Sequence, residues 1–267
     1  MLPGSPPPPY AHLDARLQQL PGAALHFWGD AAVRRAALQE ILDAYTAGDT
    51  VRLDAALSAV DDAVVAGMQA LGFDRAPING LRFRRLSSLG QKRPTCHIEL
   101  DVLQARRALT VPSRPDSIVE TWIHESIHAR RRPWAADYVA EQHGWVGYEE
   151  GLAEGLTGFV ARRGGLTRGR QAYRRYCRAY ELLAETMQVE VEQIYVRLWP
   201  NEPGALRRAF TDIVDDLYHR HRGRSLSLQD RMAVLAAADT MFASHMEHQY
   251  DRGIERDMRR AWQECLQ

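Results

Sequence analysis

Cysteine, lysine and long apolar runs are all scarce in this chain, and each scarcity removes a class of explanation. The three cysteines, Cys96, Cys177 and Cys265, stand far apart with no C-x-x-C pairing, so no disulfide framework is expected and a reducing compartment is favoured. No apolar run approaches the roughly 20 residues that cross a bilayer. Met1 to Pro9 lacks the charged and apolar regions of a secretory leader. The expected setting is cytoplasmic, with signal-independent export also compatible. Lysine occurs once, at Lys92, among 34 lysines and arginines, an imbalance read as codon usage in a GC-rich genome. The formal net charge is zero, which gives no global electrostatic case for a nucleic-acid partner. No internal repeat is found.

What is present is a chain of 267 residues with 45% apolar content, enough to bury a substantial core. Four regions are read along it: a proline-rich tail at 1–10, helices at 11–75, a core at 76–200 and further helices at 201–267, all of which can form one compact body. Ala31 to Ala47 and Thr50 to Leu71 repeat with helical period and stop at Gly48 and Gly72. Leu81 to Leu86 and Cys96 to Val102 alternate as half-buried strands do. Gly164-Gly165 marks a turn before a long helix from about Arg170 to Trp199. A capping-box spacing at Ser227 to Asp230 opens the last helical region.

The most informative stretch is His124-Glu125-Ser126-Ile127-His128. Ser113 to Asp116 has capping-box spacing, and Ile118, Val119, Trp122, Ile123 and Ile127 recur with helical period, so a helix from about Asp116 to Arg130 is predicted. On it His124 and His128 share a face and can bind one ion, while Glu125, about 100° round, is free to handle a proton. A structural zinc site has four protein ligands and a catalytic one has three plus water, so the third ligand decides the class. The strongest candidate is Glu150, 22 residues after His128. It falls in Tyr148-Glu149-Glu150-Gly151-Leu152-Ala153-Glu154, read as a second helix after a Gly-rich turn at Gly144 and Gly147. Glu154, one turn on, is placed to accept the spare N–H of a ligand histidine and fix its tautomer. Gly151, Gly155 and Gly158 would let the two helices approach closely. Asp137 and His143 are alternative third ligands without a motif around them.

Together these residues resemble the gluzincin branch of the zincin metallopeptidases, over about 45 residues. The likeness rests on His124-Glu125-x-x-His128 followed by Glu150-Gly151-Leu152-Ala153-Glu154. It implies one zinc ion held by His124, His128 and Glu150, with Glu125 as general base. It also implies an α+β, predominantly helical fold with a zincin-like core, in which a small mixed sheet precedes the active-site helix and its edge strand holds an extended peptide. Glu149 stands where many members carry Asn, which leaves Glu149 and Glu150 as two candidates for the third ligand, with Glu150 favoured because it immediately precedes Gly151. A metzincin is excluded, because Arg131 and Trp134 occupy its glycine and third-histidine positions.

The chemistry expected is hydrolysis of a peptide bond in a protein or peptide. Zinc lowers the pKa of its water to about 7, Glu125 takes a proton as that water attacks, and a further donor meets the oxyanion. Tyr173, Tyr176, Tyr180, Tyr195, Tyr218 and His219 are candidate donors. The strand at 96–102 is read as the edge that pairs with substrate, and Cys96 or His97 can face the cleft. A zinc-binding structural or assembly protein, as in a secretion apparatus or phage-like particle, and a delivered protease toxin are the competing readings. The arginines from Arg162 to Arg178 read as a solvated helix face paired with Glu181 and Glu185. His219-x-His221 and His245-x-x-His248 lack the acidic or thiol partners of a second metal site.

Overall fold

The computed structural model describes residues 18–20, 22–73, 78, 80–86, 90–92, 97–111, 116–131, 135–167, 173–201, 205–242 and 252–266, without side chains at 92, 131, 135–146, 252 and 254. The chain is mostly helical with one small mixed sheet, an α+β arrangement. It divides into two compact units, residues 1–130 with 157–170, and residues 131–156 with 171–267. Among the described residues no helix is long and apolar enough to cross a membrane. The proline-rich tail lies outside the described residues.

In the first unit, α1 (Gly22–Gly29), α2 (Ala31–Ala47) and α3 (Thr50–Ala70) precede the sheet. Asp30 and Asp49 open α2 and α3 by accepting from the Ala32 and Arg52 amides, donors that the helix itself leaves unsatisfied. Gly48 closes α2 with φ 68°, the left-handed conformation a glycine takes without strain. Trp28 of α1 donates its indole N–H to the Ala63 carbonyl at 2.7 Å. A Cβ at Gly67 would lie 2.3 Å from the Trp28 ring, so the bare glycine is what lets the ring rest on α3.

The sheet has the order β1 (Gly80–Arg84), β3 (His97–Asp101), β2 (Gly90–Lys92), with β3 parallel to β1 and antiparallel to β2. This corrects the expectation that the strand at 96–102 is the edge: β3 is central, and its Ile98, Glu99, Leu100 and Asp101 are all buried. The edges are β1 and β2, and β2 is too short at three residues to display an alternating pattern. A second difference follows at once. Asp101 ends β3 by accepting from the Gln104 amide at 3.0 Å and the Leu86 amide at 2.8 Å, and so starts α4 (Val102–Thr110), a helix the alternation of the strand had masked.

The histidine helix, α5 (Ser117–Arg131), buries Ile118, Val119, Trp122, Ile123 and Ile127, the stripe its period predicts. Of the expected capping box, Ser113 to Pro115 lie outside the described residues. Asp116 gives its carboxylate to Arg34, at 2.7 and 3.1 Å, and to the Thr167 amide at 2.8 Å. Toward the other end, Asp61 of α3 accepts from the Trp122 indole at 3.1 Å and from the Arg130 guanidinium.

The second unit is helical among its described residues. Most of α6 (Ala135–Arg163) belongs to it, and the last turns, from Thr157, belong to the first unit. No turn interrupts α6 at Gly144 or Gly147, contrary to the sequence reading. A Cβ at Gly147 would stand 2.0 Å from the Phe242 carbonyl oxygen, so this glycine answers a close approach and not a bend. After it come α7 (Arg174–Met187), α8 (Val191–Leu198), α9 (Leu206–Arg222), α10 (Leu228–Phe242) and α11 (Arg252–Leu266). The single long helix predicted to Trp199 is therefore two. The break is Gln188, at φ 54°, whose amide reaches the Ala184 and Glu185 carbonyls while the Val189 amide bonds Ala184 at 3.0 Å. That closure is the glycine C-cap geometry carried by a glutamine, and neither Gly nor Pro announces it. The Ser227 hydroxyl accepts from the Asp230 amide at 3.1 Å and opens α10 as predicted.

Candidate metal centre

One turn of α5 separates His124 from His128 and sets their Nε2 atoms 3.1 Å apart. Two nitrogens bound to one tetrahedral zinc ion, each about 2.0–2.1 Å from it, lie roughly 3.3 Å apart, so the pair presents nitrogens at metal-sharing distance. Glu150 joins them: one ligand atom from each of His124, His128 and Glu150 lies within 4.8 Å of the others. Of the two adjacent glutamates it is Glu150 that belongs to this group, while Glu149 is buried outside it. Among the described residues the donor set is two imidazole nitrogens and one carboxylate oxygen, a combination that suits zinc chemically. His128 is buried and the other two are half-buried, so solvent can supply the fourth position. Among the described residues no other such group is found.

Glu125 stands on the adjoining face of α5 and is 8% exposed. Its neighbour is the edge strand: a Cβ at Gly90 of β2 would lie 3.2 Å from Glu125 Cγ and 2.7 Å from Thr121 Cγ2. The Thr121 hydroxyl donates to the Ser117 carbonyl at 3.0 Å, which turns its methyl group to Gly90. Glu154, one turn beyond Glu150 on α6, is buried. The side chains of Asp137 and His143, the alternative ligands, lie outside the described residues, as do Cys96, His245 and His248. His97 is half-buried at the start of β3.

The tyrosines offered as oxyanion donors have other work. Tyr180 is fully buried and donates to the Tyr148 carbonyl at 2.9 Å. Tyr195 packs against Gly155, where a Cβ would meet its ring at 2.2 Å, and burial pushes its hydroxyl pKa well up. Tyr173 stacks on Tyr176 with rings 6.0 Å apart. The Tyr218 hydroxyl accepts from Arg224 at 3.2 Å. His219 and His221 are both exposed.

Gly147, Gly151 and Gly155 recur every fourth residue, on one face of α6, and that face meets Phe242, Tyr176 and Tyr195. The glycine spacing therefore serves packing within the second unit, where the sequence reading had assigned Gly151 and Gly155 to an approach between the two ligand helices. Next to it lies a polar anchor that no sequence signal marks. Tyr148 donates to Asp239 at 2.9 Å, and Arg207 clasps the same carboxylate at 2.9 and 2.7 Å. Burial, and then the Asp239 charge, holds the Tyr148 hydroxyl far above its ordinary pKa.

The arginine cluster divides. Arg178 pairs with Glu181, Glu185 and Glu255 at 3.2, 2.6 and 3.0 Å, as a solvated face should. Arg175 is instead buried and donates to the Met241 and Thr240 carbonyls, both at 3.1 Å, closing the end of α10. Arg168 and Arg170 lie outside the described residues. Comparison of the chain with protein-family models, curated proteins and solved structures finds no match.

Proposed function

We propose that the chain is a zinc peptidase that hydrolyses peptide bonds of a protein or peptide at the His124, His128 and Glu150 cluster. The observation that supports it most is the convergence of these three ligand atoms within 4.8 Å, with Glu125 beside them and excluded from the ligand face by the pitch of the helix. A bound zinc ion supplies a Lewis acid that lowers the pKa of water to about 7 and polarises the scissile carbonyl. His124 and His128 would hold the ion through ring nitrogens, and Glu150 would add one carboxylate oxygen. Glu125 accepts the proton of the attacking water and delivers it to the leaving amine. Its buried setting keeps bulk water from competing for that proton. Glu154 is proposed to orient a ligand imidazole through the ring nitrogen that faces away from the ion. Among the described residues β2 lies at an edge of the sheet, and alignment of an extended peptide along it is the proposed mode of substrate binding.

The test joins metal content to turnover. One zinc per chain is expected after purification, lost in His128→Ala and Glu150→Ala. Glu125→Gln should keep the metal and the fold while cleavage of a mixed peptide pool falls by about two orders of magnitude or more. A parent protein that takes up no zinc, or a Glu125→Gln variant as fast as the parent, sinks the reading.

A further inference from the structure

We infer that Gly90 is a positioning residue: its missing side chain fixes where the Glu125 carboxylate stands against the edge strand. The inference rests on the peptidase reading for its consequence and on local geometry for its substance. Gly90 has no positive φ, so its backbone conformation is open to any residue and the requirement for glycine is one of space. That space is bounded on three sides. A Cβ at position 90 would meet Thr121 Cγ2 at 2.7 Å, Glu125 Cγ at 3.2 Å and the Glu99 carbonyl oxygen at 3.3 Å. The Glu99 carbonyl belongs to the central strand, whose Glu99 is paired with Gln91 of β2, so it cannot retreat. Thr121 is tethered by its hydroxyl to Ser117 at 3.0 Å, so its methyl group cannot turn aside without breaking that bond. The compliant neighbour is the unbranched Glu125 side chain. Bulk at position 90 is therefore relieved by moving either Glu125 or β2 away from the other, and both separate the proton-handling carboxylate from the strand.

No sequence signal marks this residue, because one glycine in a three-residue strand has no pattern to interrupt. Yet a misplacement of about 1 Å in a reacting group can cost on the order of 100-fold in rate, so this contact can govern the site without touching metal or substrate.

Gly90→Ala should retain one zinc per chain, with kcat for the peptide pool down by roughly 10- to 100-fold and KM little changed. Thr121→Ser in the same background removes the tightest clash and keeps the hydroxyl tether, so it should restore kcat to within about threefold of the parent. A readout without substrate separates this inference from the peptidase reading. In protein labelled with carboxyl 13C-glutamate and without added metal, the resonance lost in Glu125→Gln identifies Glu125. That resonance should move in Gly90→Ala and return in Gly90→Ala/Thr121→Ser. Movement and return in a protein that cleaves nothing would uphold the positioning role while the peptidase reading fell. An unmoved resonance, or parental kcat in Gly90→Ala, overturns the positioning role. If Gly90→Ala does not fold, the double variant must fold and carry a near-parental resonance, and its failure to do so overturns the inference as well.

Discussion

The helix that carries His124 and His128 and the helix that carries Glu150 are held by opposite physical means. Buried charge fastens α5: Asp116 at its start is bound by Arg34, and Asp61 takes hydrogen bonds from Trp122 and Arg130 farther along. Missing volume fastens α6: Gly147, Gly151 and Gly155 admit the Phe242 main chain and the rings of Tyr176 and Tyr195. A charge anchor fixes a helix end along chosen directions but leaves a penalty if one partner is removed. Close packing fixes a whole face but tolerates no added atom. The two helices should accordingly fail under different substitutions.

The largest effect is expected at the charge anchor. Arg34 and Asp116 are 3% and 1% exposed, so Asp116→Ala would leave a buried guanidinium with only the Phe27 and Trp28 carbonyls, at 3.0 and 2.8 Å. A loss of about 3–5 kcal/mol is the usual outcome of breaking such a pair from one side. Replacing both partners, as Arg34→Met with Asp116→Leu, should cost clearly less, because no buried charge is then stranded. Denaturant unfolding of the three proteins checks this. A single variant within about 1 kcal/mol of the parent would mean that the pair does not hold α5.

The packed helix gives the next effect. Alanine at position 147 gains about 1 kcal/mol in helix propensity, and its methyl group arrives 2.0 Å from the Phe242 carbonyl oxygen, which main chain cannot evade cheaply. Overpacking should win, for a net loss of about 1–3 kcal/mol. Gly22→Ala, where a Cβ meets nothing within 4 Å, should change stability little by comparison. If the two substitutions melt alike, the tight face of α6 is not what holds it.

How legible this was from sequence follows the same division. Period announced α2, α3 and α5, and Gly48 and Gly72 marked where the first two stop. His124, Glu125 and His128 were legible because one helix turn alone brings the imidazoles together. Glu150 was one of two readings, since a shift of one residue rotates a side chain by about 100° and only three-dimensional placement separates it from Glu149. What escaped depended on partners remote in sequence. The Asp116 carboxylate answers Arg34, 82 residues away. Gly144 and Gly147 of α6 looked like a turn because glycine serves bends and close contacts equally well. Gln188 broke a helix with no glycine or proline to mark the place, and β2 gained its edge position only through pairing with β3.

The smallest effect lies on the surface of the second unit and tests whether exposed charge matters there at all. Glu185 accepts from Arg178 at 2.6 Å and from Arg259 at 3.0 Å, and Arg178 first among its partners draws its carboxyl below the ordinary value of 4.5. A depressed carboxyl stabilises the folded state at pH above that ordinary value, and the contribution fades as pH falls through the folded-state pKa. The side chain is 46% exposed, so water screens most of the attraction, and Glu185→Gln should cost only about 0.5 kcal/mol at neutral pH. Arg178 retains Glu181 and Glu255 in that variant, which limits the loss further. Parent and variant should converge in stability in acid, below the folded-state pKa, and also at about 1 M salt, where the screening length is near 3 Å. A gap that survives both conditions would assign Glu185 a packing role on α7, and would place the second unit's surface closer in character to the buried anchor of α5 than to a solvated face.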